Sequence, residues 1–185
     1  MKTYSWRVLM SVVVAALALT ALPTACDEED HDSGKPEDEQ RVWLDSETNL
    51  MWQAAQSCGK SYGNARAYCA TLDWGGRTDW RLPTISELRT LVRGCPESEA
   101  DGNCGITDEC LSLDCPTQEC GICESGAGPN HGCYGPQELP DECGRFWSAS
   151  ALTGSEVTAC GLFFDVAYVA IGLGRYEEHC ARCVR

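Results

Sequence analysis

Three observations on this 185-residue chain predict an α+β fold with a long disulfide-rich loop insert. Helix signals fall in the first half, apolar residues at period two fill the last part, and eight of the 14 cysteines crowd into residues 94–144. Early helices followed by strands argue for an antiparallel α+β arrangement over an alternating parallel sheet. A cysteine-dense stretch with few large apolar residues reads as a loop that cross-links must hold, because it lacks the material for a core of its own.

Residues 1–25 carry Lys2 and Arg7, an apolar run over residues 8–22 and the small-residue ending Thr24-Ala25, the layout of a secretory signal. The run is shorter than the ~20 residues a bilayer requires, and no basic stop-transfer cluster follows it. Leu22-Pro23-Thr24-Ala25-Cys26 resembles a bacterial lipobox, with Pro23 where leucine is usual, so Cys26 is the expected lipidation site. Ordinary cleavage and release is the competing reading. Residues 26–40, CDEEDHDSGKPEDEQ, are acidic, lack aromatics and are expected to form a disordered linker.

The domain proper is placed at residues 41–185. Arg41-Val42-Trp43-Leu44-Asp45 and Leu50-Met51-Trp52-Gln53 are β-prone runs around a polar turn and read as a hairpin. Tyr62, Ala65, Cys69 and Leu72 share one helical face over about 61–72, and Gly75-Gly76 stops the chain. Thr84-Ile85-Ser86-Glu87 has the T-x-x-E form of a capping box. Apolar Ile85, Leu88, Leu91 and Val92 then predict a second helix with one face on a core. Before it, Asp79-Trp80-Arg81-Leu82-Pro83 reads as a strand with Trp80 and Leu82 inward and Asp79 and Arg81 outward, able to pair with neighbours. Phe146-Trp147-Ser148 is a further strand, with Trp147 read as core. Leu162, Phe164 and Val166, then Val169, Ile171 and Leu173, predict closing antiparallel strands.

The eight insert cysteines form an even set that can close on itself, whereas Cys58, Cys69, Cys160, Cys180 and Cys183 are an odd number. Cys120-Gly-Ile-Cys123 lacks a matching pair at zinc spacing and is read as structural.

The succession Leu50-Met51-Trp52-Gln53, Ala67-Tyr68-Cys69, Gly75-Gly76-Arg77-Thr78-Asp79-Trp80-Arg81-Leu82-Pro83-Thr84, Phe146-Trp147-Ser148-Ala149-Ser150 and Arg182-Cys183-Val184-Arg185 resembles the Legionella collagen-like protein C-terminal (Lcl C-terminal) domain family, over residues 42–185 with the cysteine-rich insert as the main departure. The resemblance implies a C-type-lectin-like fold, an exported domain often at bacterial surfaces, and glycosaminoglycan adhesion in the namesake. Chain ends lie together beside the first helix in lectin-like folds, so it also implies a disulfide between Cys69 and Cys183. Arg81-Leu82-Pro83-Thr84 with Glu87 is similar as well to a segment of formylglycine-generating enzymes, which are longer and rely on a reactive cysteine pair.

Residues 1–40 hold three of the 14 basic and eight of the 28 acidic residues, so the domain carries a formal charge of −9. Nucleic acid is therefore an unsuitable partner, and the charge opposes binding of sulfated glycans. Arg77, Arg81, Arg89 and Arg93 share a region, but Arg89 and Arg93 read as a solvated i, i+4 pair. No G-x-S-x-G, H-E-x-x-H or P-loop occurs, and His31, His131 and His179 lack metal-ligand neighbours at useful spacing. No catalytic residue is assigned. Glu138, Asp141 and Glu142 are a possible ligand loop whose hard oxygens would suit Ca²⁺; otherwise no cofactor is expected. The expected function is a non-enzymatic recognition or adhesion module for a glycan or protein at the cell surface, held to the membrane by a lipid anchor. A secreted or periplasmic form, and a ligandless structural envelope lipoprotein, are the alternatives, with an oxidase of the formylglycine-generating kind further off.

Overall fold

The structure, a computed structural model, describes residues 41–118, 120–121, 123–139, 143–155 and 158–185. The expectations for residues 1–40, including Cys26, and for Asp141 and Glu142 lie outside the described residues.

The hairpin forms as β1 (Val42–Leu44) and β2 (Met51–Gln53), antiparallel with Trp43 opposite Trp52. Its turn is tied by Asp45, whose carboxylate accepts from the Thr48 hydroxyl at 2.7 Å and the Glu47 amide at 3.0 Å. β3 (Ser57–Lys60) follows, a short polar strand with Gly59 that carries no apolar alternation. The helix α1 (Tyr62–Ala70) turns Tyr62, Ala65 and Cys69 inward, and α2 (Ile85–Arg89) begins with the full capping box on Thr84 and Glu87. α2 is shorter than its apolar pattern suggests. The Thr90, Leu91 and Val92 amides each bond the carbonyl three residues back, so the chain tightens past Arg89 while Leu91 and Val92 stay buried.

β4 (Arg145–Ala151), β5 (Thr158–Phe163), β6 (Tyr168–Gly174) and β7 (His179–Ala181) join β3 in one sheet of order β3-β7-β4-β5-β6. The expectation of purely antiparallel strands holds for β4–β5–β6 but fails between β4 and β7, which run parallel at Phe146 and Cys180. β7 does not stay beside β6. It lies between β3 and β4, where Phe146, Trp147, Cys180 and Ala181 can all be buried.

The sheet has a core on each face. Phe146, Cys160, Leu162 and Cys180 pack with Ile85, Leu88, Leu91 and Val92 of the α2 region, while Trp147, Ala159 and Ala181 pack with Tyr62, Ala65 and Cys69 of α1. Central strands buried on both faces read as continuous apolar runs, and adjacent residues such as Phe146 and Trp147 serve opposite cores.

The insert is not an appendage. Ile106, Tyr134 and Leu139 belong to the same core as α2, which corrects the expectation of a loop held by cross-links alone. Its cysteines do pair among themselves, as Cys95–Cys123, Cys104–Cys120, Cys110–Cys115 and Cys133–Cys143. Elsewhere Cys58 joins Cys180 and Cys69 joins Cys183. Cys160 is free and buried. This density of disulfides fits an extracellular or otherwise oxidising environment.

Candidate functional site

The Asp-Trp-Arg-Leu-Pro block wraps the last residues of the chain. Arg81 and Val184 exchange both backbone hydrogen bonds at 2.9 Å, while Met51 and Arg185 exchange theirs at 3.0 Å, so the terminal segment lies between the block and β2. The block is therefore a single bridge at Arg81, where a strand was expected. Pro83 has no N–H with which to continue a ladder. Trp80 and Leu82 are buried, and the Trp80 indole N–H is shared by the Arg77 and Trp74 carbonyls at 3.0 and 3.2 Å.

The outward residues pair as their alternation suggests. Asp79 meets the Arg185 guanidinium at 2.8 Å, which holds its carboxyl below the usual carboxylate range. Arg81 grips Glu87 with two bonds of 2.6 Å. Partial burial works to raise the Glu87 carboxyl, yet Arg81 and the Thr84 amide outweigh it and hold the group low. Each member of the block thus has a structural partner: Asp79 and Arg81 in ion pairs, Trp80 and Leu82 in the core, and Pro83 through its carbonyl, which accepts from the Ala149 amide at 2.6 Å. Trp147 is fully buried, donating to the Lys60 carbonyl at 2.7 Å and packing on Tyr62 and His179.

Of the groups that could do chemistry, Cys160 and His179 are enclosed, whereas His131 and Glu138 are exposed. Burial pushes the Cys160 thiol up to about 11, so almost none is thiolate at neutral pH. Burial lowers His179 from its ordinary value against the opposing pull of Glu177, 3.3 Å from its Nε2. His131 sits in a turn at φ 50°, its Nδ1 3.0 Å from the Asn130 side-chain oxygen. Glu138 is exposed, and its carbonyl accepts from Arg41 at 3.2 Å. Among the described residues the one metal-capable grouping is Cys95, Glu97 and Cys123, and its two cysteines are already bonded to each other.

Arg89 is the largest departure from expectation. It is not solvated but 1 % exposed, and its guanidinium turns into the insert. Nε donates to the Ser98 carbonyl at 3.1 Å, Nη1 to Cys104 and Ile106 at 3.1 and 2.9 Å, and Nη2 to Glu99 and Gly102 at 2.6 and 3.2 Å. Desolvation lowers its pKa, with Asp101 opposing. The i, i+4 spacing of Arg89 and Arg93 could not reveal this, because the five acceptors are backbone carbonyls that carry no residue signature.

Beyond that anchored stretch the insert and the sheet edge enclose a groove of about 350 Å³. One wall is Pro116, Thr117 and Gln118, and the other is Tyr168, Val169 and Ile171 of β6, the edge strand. Among the described residues that line it none is charged, on a domain that is strongly acidic. Two clefts of similar size differ in lining. One of about 370 Å³ carries Glu47, Arg93, Glu99 and Asp101, and another of about 340 Å³ carries Arg66 and Arg81. The described lining of this groove combines apolar walls, the Thr117 and Gln118 side chains and Tyr168, whose ring stacks edge-on against Phe163 with centroids 5.8 Å apart, a mixture suited to a small polar ligand. Nothing in the sequence marked Tyr168 or Gln118, since the two walls lie about 50 residues apart and meet only when the insert folds back on β6.

A family model described as the Lcl C-terminal domain matches residues 41–185. No curated protein and no solved structure matches the chain.

Proposed function

The chain belongs to the Lcl C-terminal domain family, and on that premise we propose that it is an exported, non-catalytic recognition domain of C-type-lectin-like fold that binds a neutral glycan in the groove between the insert and β6. The observation that carries this reading is a groove whose described lining residues, Tyr168 among them, include no charged side chain, on a domain of formal charge −9. A sulfated chain would meet general repulsion on such a surface, whereas an uncharged sugar can stack on an aromatic ring and bond to amide and hydroxyl groups. The enclosed Cys160 thiol and the disulfide-bonded state of the other described cysteines favour binding over oxidase chemistry.

The proposed location is the outer membrane or cell surface, with Cys26 acylated. Several acyl chains at one end would anchor the protein stably, where a single chain binds marginally. Metabolic labelling with an acyl precursor should mark the natural chain and not Cys26→Ala. Equal labelling of both would remove the anchor from this proposal.

Replacing the whole insert is a poor test of the groove, because Ile106, Tyr134 and Leu139 are part of the core. Point changes serve better. Tyr168→Ala and Gln118→Ala should each weaken retention on a neutral glycan panel, by about tenfold or more for Tyr168→Ala, with the melting temperature changed little by Gln118→Ala. Retention on an uncharged peptide panel alone would change the ligand class to polypeptide. Strong heparin retention that falls steeply with salt, unaffected by either change, would remove the ligand site from the groove.

A further inference from the structure

We infer that Arg89 is the template on which the insert folds, and that its guanidinium dictates the pairing of Cys95 with Cys123 and Cys104 with Cys120 and so positions the Thr117 wall of the groove. The inference rests on the Arg89 geometry and stands whether or not the groove binds a glycan.

A guanidinium has five N–H donors in one plane. All five of Arg89 are used, each on a different carbonyl of residues 98–106, with no carboxylate among the acceptors. Five carbonyls pointing inward at one centre would repel one another without a cation between them, and a buried cation without acceptors would be strongly disfavoured. Each half of the arrangement therefore requires the other. The chain is shaped to let the carbonyls converge. A Cβ on Gly102 would strike the Pro96 and Glu97 carbonyls, and one on Gly105 the Cys115 carbonyl, so both positions demand glycine.

The anchored stretch contains or borders the cysteines that fasten the insert. Cys104 gives its carbonyl to Arg89 and its sulfur to Cys120, and Cys95 lies just before the stretch and is bonded to Cys123. The Thr117 hydroxyl donates to the Asn103 carbonyl at 3.0 Å, and Thr117 and Cys120 line the groove. Position passes from α2 through Arg89 to residues 98–106, and from there to the groove wall. Eight cysteines permit 105 pairings. Without a non-covalent framework Cys104 has no preference for distant Cys120 over nearer thiols such as Cys110, since short loops close at least as easily as long ones.

The test uses the full chain, reduced, then refolded in a glutathione redox buffer and mapped by non-reducing peptide digestion. The natural chain should regain all six disulfides seen here. Arg89→Met removes the charge and Arg89→Lys keeps it with three donors. Both should retain Cys69–Cys183 and Cys58–Cys180 but lose the Cys95–Cys123 and Cys104–Cys120 peptides to mixed pairings. Native insert pairing in Arg89→Met at the natural yield would overturn the inference. Should both variants fail to fold at all, a second measurement decides. In the Cys104→Ala, Cys120→Ala double variant with Arg89 intact, the Ser98 and Gly102 amides should keep their protection from hydrogen exchange. Loss of that protection would show that the disulfide organises the loop and Arg89 merely follows.

Discussion

Trp80→Ala is expected to lower the unfolding free energy by about 3–5 kcal/mol, the range for truncating a buried aromatic ring. The ring is buried among Leu82, Tyr62 and Cys183, and its N–H is bound by two carbonyls, so removal leaves a cavity as well as freed acceptors. For a domain of this size that corresponds to a fall in melting temperature of roughly 10 °C or more, readable by calorimetry. Asp79→Asn is the control. It weakens an exposed ion pair to Arg185 and should leave the melting temperature nearly where it was. If Trp80→Ala instead melts like the natural chain while losing its ligand, the block is a binding site and its structural assignment here is wrong.

Replacing both Cys69 and Cys183 by alanine should also be costly. The bond closes a loop of 114 residues and joins α1 to the terminal segment that the Asp79–Pro83 block encloses. The chain-entropy account gives about 5 kcal/mol for a loop of that length, with native strain reducing it. Both sulfurs lie in the α1-side core, so alanine leaves no polar group unpaired and the loss reports the cross-link and a small cavity. The expected readout is a lower urea midpoint together with earlier loss of the Trp80 fluorescence environment. A midpoint unchanged within error would mean that the backbone bridges at Arg81, Met51 and Gln53 suffice to hold the terminus.

Much of the scaffold was legible because it obeys local rules. The capping box at Thr84 and Glu87, the hairpin around Asp45, the inward face of α1 and the outward pairing of Asp79 and Arg81 all follow from residue type and spacing within a few positions. β3 escaped because Ser57-Cys58-Gly59-Lys60 has no apolar alternation, and it is a strand only because β7 is there to pair with it. The parallel pairing of β4 and β7 escaped because strand order depends on how two cores divide the apolar residues, which no single run records.

By itself the sequence determined the α+β class, an insert whose eight cysteines can close on themselves, an acidic surface and the family block, since composition and short-range spacing are sufficient for these. Only the tertiary structure decided that Arg89 is buried and that the Pro116–Gln118 stretch faces β6 across a groove whose described lining residues carry no charge. The physical reason is the same in both cases. Backbone carbonyls look alike in every residue, and a groove between segments distant in the chain exists only after the core beneath them has formed.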